Sequence, residues 1–308
     1  MRPRALVEGE PSSAVAQHRP LAGLLLMLAA AALLPLMDGV AKHLSSSYPL
    51  TQVIWARYFF HLITMLPWLI WRYGARSLWP QRPAVQLLRG ALLLLATALF
   101  FTAISRMPLT TAMTLLFVSP LVVTALAPVL LGERVGWSRW LAVLVGFAGV
   151  WIVMRPGTSA FMLSGLFAVA AGTVHALYLL TTRKLSGSSP PLVTLAYTAI
   201  VGAVGMSIVV PFDWTAPTLF GWFLMVFMGL LAASGHFFVI WAFDLAPASL
   251  LAPAGYFEIV TATIVGLVVF GDFPDGWTWV GAAVIVASGV FISVREQRAA
   301  RRRIELPA

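Results

Sequence analysis

From residue 21 to residue 294 the chain is an almost unbroken series of apolar stretches, parted by gaps of a few residues that carry Pro, Gly, Asp or Arg. A helix that crosses a bilayer needs about 20 mainly apolar residues. The series divides into ten such stretches: 21–44, 50–71, 87–105, 108–131, 139–155, 161–182, 191–211, 218–243, 247–270 and 277–294. Water is not the main solvent of such a chain, and the charge content agrees: 10 % of the residues are charged, against roughly a quarter in soluble domains. The spacing therefore predicts an all-α integral membrane protein of ten transmembrane helices. The first stretch follows a polar tail, 1–20, where a secretory signal would lie. Its length, with Asp38 and Lys42 inside it and no small-residue cleavage pattern, predicts a retained span.

A net charge of +9 would suggest nucleic acid in a soluble protein, but here topology accounts for it and no nucleic-acid partner is expected. Placing the amino terminus in the cytoplasm puts sixteen basic residues on that side: Arg2, Arg4, Arg19, Arg72, Arg76, Arg82, Arg89, Arg134, Arg139, Arg183, Lys184, Arg295, Arg298, Arg301, Arg302 and Arg303. Lys42, Arg106 and Arg155 fall on the other side, and Arg57 lies within a span. The asymmetry is the positive-inside pattern, so both termini are expected in the cytoplasm of a prokaryote, with the protein in the inner membrane. The basic tail, 295–308, fits a topology signal or contact with anionic headgroups. The absence of cysteine excludes disulfides, iron–sulfur clusters and thiol catalysis, and no metal or other cofactor is expected.

The chain matches itself at an offset of 139 to 142 residues. Met107-Pro108 falls on Ala246-Pro247, Gly132-Glu133 on Gly271-Asp272, Trp137 on Trp277, Gly149-Val150 on Gly289-Val290, Arg155 on Arg295, and Gly23, Lys42 and Pro49 on Gly165, Lys184 and Pro191. Hydrophobicity alone does not align Pro, Gly, Trp and charged residues in one order. The repeats are 21–155 and 161–294, with five spans each. An odd number of crossings turns the second copy upside down, which predicts two inverted-topology repeats with a substrate site near the midplane between them.

The segment "SPLVVTALAPVLLGERVGWSRWLAVLVGFAGVWIV", Ser119 to Val153, resembles the signature of the EamA-like family of the drug/metabolite transporter superfamily: a mid-span Pro, here Pro120, then a small and aliphatic run ending in Gly-Glu at Gly132-Glu133. The second copy, Glu258 to Ile292, has Ile259 in place of the Pro and Asp272 in place of the Glu. The resemblance spans nearly all of 21–294. It implies a ten-span metabolite transporter whose cavity is lined mainly by spans 1, 3, 4, 6, 8 and 9. The wording of "FGDFPDGWTWVGAA" is most similar to a subgroup described as riboflavin or S-adenosylmethionine transporters.

Polar groups in a bilayer are costly, so each one calls for an explanation. Glu258 lies about eleven residues into span 9 and its repeat equivalent, Ser119, lies at the same depth in span 4. A midplane carboxylate there can take up a proton or hold a substrate cation; a protonated, helix-bonded Glu is the structural alternative. Asp38 and Arg57 flank the 45–49 loop at similar depth, which predicts an ion pair between spans 1 and 2, with Lys42 one turn from Asp38. This set reads as gating or structural, together with His61 on the Arg57 face. In span 6, Gly172, His175, Tyr178 and Thr182 recur at spacings of three and four and form one polar stripe, suited either to hydrogen bonding and stacking with a solute or to helix packing. His236 in span 8, beside Gly235, and its equivalent Thr97 in span 3 are candidates for the cytoplasmic side of the same space, with a helix-contact histidine as the alternative. Tyr256, seven residues from both Ser249 and Thr263, marks a different face of span 9 from Glu258, and only one of these faces can look into a cavity. Pro35, Pro120, Pro128 and Pro253 can kink spans 1, 4 and 9. Ala142, Gly146 and Gly149 in span 5 permit close approach of another helix, internal or from a second protomer in a homodimer.

Two other classes compete with transport of a small molecule. An intramembrane enzyme would use the histidines with Glu258, yet they fall on different spans, and no zinc-binding HExxH or Gly-x-Ser-x-Gly nucleophile pattern is present. A receptor or scaffold has no need of an inverted repeat or a midplane acid. The sequence thus points to a secondary transporter and not to an enzyme.

Overall fold

A computed structural model describes residues 19–74, 82–133, 135–155, 159–185 and 190–305. Arg2, Arg4, Arg76 and Arg134 lie outside these residues, as do the side chains of Ser249 and Arg301 to Arg303. The described chain runs α1 (Pro20–Leu44), α2 (Leu50–Tyr73), α3 (Pro83–Ile104), α4 (Leu109–Leu116), α5 (Ser119–Leu131), α6 (Trp137–Met154), α7 (Ser159–Lys184), α8 (Pro191–Val209), α9 (Leu219–Leu245), α10 (Ala248–Gly255), α11 (Phe257–Phe270) and α12 (Gly276–Glu305). Taking α4 with α5 and α10 with α11, ten helical segments are long and apolar enough to cross a membrane. Their outer surface is apolar, with Trp71, Trp137 and Trp277 exposed near helix ends, where amphipathic rings sit at headgroup level.

Two spans are broken, at equivalent positions. Span 4 breaks between α4 and α5 at Phe117 and Val118, and span 9 between α10 and α11 at Tyr256. Pro120 explains the first break, since it has no N–H to offer the Leu116 carbonyl. That carbonyl meets Gly172 of α7, where a Cβ would stand 2.6 Å from the oxygen. Span 9 breaks at the same place with Ile259 where span 4 has Pro120. Pro35, Pro128 and Pro253 are accommodated inside α1, α5 and α10.

The halves are interleaved. α1 packs on α9 and α7 on α3; α2 packs on α9 and α8 on α3; α1 lies against α10 and α11, and α7 against α4 and α5. Exchanging the halves leaves this pattern unchanged, in agreement with an inverted pair. Spans 2 and 7 pair with each other, as do spans 5 and 10. In the latter pair, a Cβ on Gly149 would approach the Gly281 carbonyl to 3.1 Å. The Gly146 position meets Leu121 of α5, so the small residues of span 5 are used within the chain.

The Gly-acid motif closes each half in the same way. Gly132 ends α5 at φ 68° and Gly271 ends α11 at φ 69°, a left-handed conformation that favours glycine. The next residue turns its carboxylate toward the other half: Glu133 pairs with Arg183 of α7 at 2.7 Å, and Asp272 pairs with Lys42 of α1 at 2.9 Å. Lys42 also donates to the Met107 carbonyl at 2.9 Å.

Candidate functional site

A cavity of about 150 Å³ lies between the halves. Its polar lining comes from six different spans: Asp38 of α1, Arg57 of α2, Thr97 of α3, His175 of α7, His236 of α9 and Glu258 of α11. Phe100, Phe101 and Met37 supply part of its apolar wall. The contribution of span 2 adds to the set implied by the resemblance. Span 4 contributes Met113 and Leu116 from α4.

The break in span 9 positions Glu258. It falls in the first turn of α11, so the carboxylate stands at a helix N-terminus, the favourable end of the dipole for a negative charge. Its equivalent, Ser119, opens α5 but is buried outside the cavity lining. Tyr256 also turns away. Its ring packs on that of Phe117 with centroids 4.8 Å apart, so the two break points of the repeat touch. Of the two faces of span 9, the Glu258 face looks into the cavity.

Arg57 departs from the sequence expectation. No ion pair joins it to Asp38 among the described residues. Its NH1 donates to Thr97 Oγ1 at 2.5 Å and its Nε to Met37 Sδ at 3.4 Å, while its guanidinium lies over the rings of Tyr58 and Phe101. Thr97 is held in turn by the Tyr58 hydroxyl at 2.8 Å. The equal depth of Asp38 and Arg57 places both on one cavity, but their directions around the helix axes keep them from contact. Lys42 does not join them either, because it is committed to Asp272 and Met107. Among the described residues neither the Asp38 nor the Glu258 carboxylate has a hydrogen-bond or ion-pair partner.

The histidines form two contacts. His236 Nδ1 lies 2.8 Å from the Ala232 carbonyl, which can only accept, so Nδ1 carries a proton and Nε2 of the neutral ring is left as an acceptor. His61 sits behind it with ring centroids 5.6 Å apart, buried, its Nε2 without a hydrogen-bond partner among the described residues. His175 stacks on Tyr178 at 5.6 Å, and its Nδ1 has no hydrogen-bond partner among the described residues.

The polar stripe of α7 is divided between two tasks. His175 lines the cavity, whereas Tyr178 and Thr182 bind Arg89, a residue counted from the sequence only as one of the cytoplasmic-side charges. Arg89 lies within α3 and is 4 % exposed. Its Nε donates to Thr182 at 2.7 Å, its NH1 to the Thr194 carbonyl at 2.7 Å and Thr198 Oγ1 at 2.5 Å, and its NH2 to the Tyr178 hydroxyl at 2.6 Å. This network ties α3 to α7 and α8. Gln86, one turn earlier, reaches Thr194 at 3.4 Å. Among the described residues no group of three or more His, Asp or Glu side chains could hold a metal ion.

Ten apolar crossings, a duplicated five-span unit and a polar cavity between the halves agree with the comparison to known proteins, in which the description "EamA-like transporter family" matches residues 21–155 and 162–294. The chain belongs to this family. It is 32 % identical over 267 residues to an S-adenosylmethionine uptake transporter of Rickettsia bellii, covering 87 % of this chain and 91 % of the relative. It is 31 % identical over 291 residues to a riboflavin transporter of Vibrio cholerae, covering 93 % and 97 %. A pseudopaline exporter of Pseudomonas aeruginosa is 26 % identical over 281 residues, covering 88 % and 95 %. A crystal structure superposes with a TM-score of 0.65 at 18 % identity, covering 90 % of this chain and 98 % of the other, a likeness that concerns the fold alone. The chain is a multi-pass membrane protein that transports a small metabolite, and not an enzyme.

Proposed function

We propose that this EamA-like transporter moves its metabolite by alternating access, with the cavity between the halves as the substrate site. The observation that carries the reading is that six spans, drawn from both halves, each present one polar residue to a single cavity, the midplane arrangement expected of a repeat-built transporter. At about 150 Å³ the cavity is smaller than the roughly 300–1,000 Å³ of ordinary ligand sites. The substrate therefore enters a widened form, reached by rocking the halves apart at one end.

The excess of basic residues on the terminal side supports a cytoplasmic location for both termini, in the inner membrane of a bacterium. The names of the relatives support an S-adenosylmethionine-like metabolite or a vitamin such as riboflavin as the substrate, and an amino acid is the third candidate on the sequence reading. Glu258 is the group through which a proton gradient would act: like Asp38 it lines the cavity with no protein partner among the described residues, and it alone of the two stands at a helix break.

Purified protein in liposomes tests the proposal. Uptake of at least one solute from this panel is expected, with loss of uptake in Glu258→Gln and insensitivity of the residual flux to an imposed pH gradient. Unaltered uptake and pH response in that variant would remove Glu258 from the mechanism.

A further inference from the structure

We propose that the cavity recognises an α-amino-carboxylate that carries a second positive centre: the carboxylate docks on Arg57 and Thr97, and the cationic groups face Asp38 and Glu258. The proposal rests on the reading of this cavity as the substrate site.

Arg57 is held as a fixed fork with donors to spare. Thr97 takes one NH1 hydrogen and the soft Met37 sulfur takes Nε–H, while NH2 makes no hydrogen bond among the described residues. The Tyr58 and Phe101 rings, 4.9 and 5.7 Å from the guanidinium carbon, pin its plane. A guanidinium in this state presents paired N–H groups that match the two oxygens of a carboxylate. Thr97 stands beside it on the same cavity wall.

The charge count names the rest of the ligand. The cavity lining holds two carboxylates and one guanidinium, a formal excess of one negative charge. Asp38 is 6 % exposed, and a buried charge without a partner is strongly disfavoured. In the empty cavity a proton on one carboxyl restores balance. A ligand bearing one carboxylate and two cationic centres restores it by displacing that proton, which passes to water. A neutral zwitterion brings one cation for the two carboxyl groups, so one of them stays protonated and without a charged partner, and such a ligand is held less tightly. Phe100 and Phe101 on the wall, with the His175 ring braced by Tyr178, offer apolar and planar surfaces to the remainder of the solute. A neutral ring system without a carboxylate leaves Arg57 unsatisfied.

The experiment is competition for uptake and ligand-induced thermal stabilisation of the purified wild type. The probes are S-adenosylmethionine, its decarboxylated form, methionine, the other common amino acids and riboflavin. S-adenosylmethionine is expected to be preferred, and the decarboxylated form to compete roughly 10- to 100-fold more weakly, the value of a lost charge-assisted hydrogen-bonded contact. Read by ligand-induced thermal stabilisation, Arg57→Gln should abolish that difference and Thr97→Val should reduce it, while Asp38→Asn and Glu258→Gln should erase the preference over methionine. The melting temperature of each variant is recorded. If Arg57→Gln does not fold, the Thr97→Val comparison decides.

Equal competition by the decarboxylated form, or stabilisation by no carboxylate-bearing probe, overturns the proposal. Riboflavin uptake that depends on Glu258 overturns it as well but leaves the cavity as the substrate site. Uptake that no cavity variant alters removes the cavity reading itself.

Discussion

Two arginines are buried to nearly the same degree, Arg57 at 7 % and Arg89 at 4 % exposure, and they are solvated by the protein in opposite ways. Arg89 spends its Nε, NH1 and NH2 on four oxygens from α7 and α8, and its guanidinium also covers the Tyr178 ring at 4.6 Å. Arg57 has one hydroxyl and one sulfur, and its remaining donors adjoin a cavity that also holds two carboxylates. A cation whose donors are filled by its own chain serves the fold. One left partly unfilled, beside acids that are also unfilled, is prepared for something that is not part of the chain.

The largest effect should come from Arg89. Replacement by Leu removes the charge but leaves the Thr194 carbonyl and three hydroxyls facing each other, and breaking a buried network of this kind costs about 3–5 kcal/mol. A marked fall in melting temperature, with loss of folded protein in detergent, is the expected outcome. An unchanged melting curve would show that the hydrogen bonds of Arg89 do not hold spans 3, 6 and 7 together. Arg57→Gln sharpens the contrast. Its expected stability change is about 1 kcal/mol, the worth of an ordinary hydrogen bond, whereas uptake should fall at least about tenfold. Equal loss of stability in the two variants would erase the distinction drawn here. Gly172→Val is intermediate, because its side chain would collide with the Leu116 carbonyl and Val118 at the span 4 break. Overpacking of this sort costs about 1–3 kcal/mol, read by thermal unfolding. Lys42→Gln should be the mildest, about 0–1 kcal/mol for a pair exposed 15 % and 35 %. Its signature is a change in uptake rate that the double exchange Lys42→Asp with Asp272→Lys restores.

The ten crossings and the duplication were legible because hydrophobic length and shared Pro, Gly and Trp positions survive in one dimension. Depth was legible for Glu258 and for Asp38 with Arg57, and these line one cavity with Thr97, His175 and His236, which repeat equivalence and helical spacing had singled out. Direction around each helix was not. Asp38 and Arg57 share a level without touching, and Tyr178, three residues from His175, serves Arg89 instead of the cavity. Arg89 itself was hidden because a cation six residues inside a helix resembles a loop charge, and its partners are neutral residues 89 to 109 positions away. A signal for the Lys42–Asp272 and Arg183–Glu133 pairs did exist. The Gly-acid motif and the basic end of spans 1 and 6 are both duplicated, and matched duplicates of opposite charge are candidates to meet across the halves.

The contact between Phe117 and Tyr256 has a mechanical consequence. An element that touches its own repeat equivalent does so at the seam between the halves, and if the halves rock about this contact the points beside it are displaced least. In the rocking motion proposed above, the two helix breaks would then serve as the pivot. α5 and α11 leave it toward opposite ends, each tipped by an acidic residue gripped by the other half. They have the geometry of the two arms of a balance beam. On that proposal a given tilt would displace the tips most and the cavity level least, so that an exit at either end would open while Glu258, at the root of one arm, keeps its place beside the cavity.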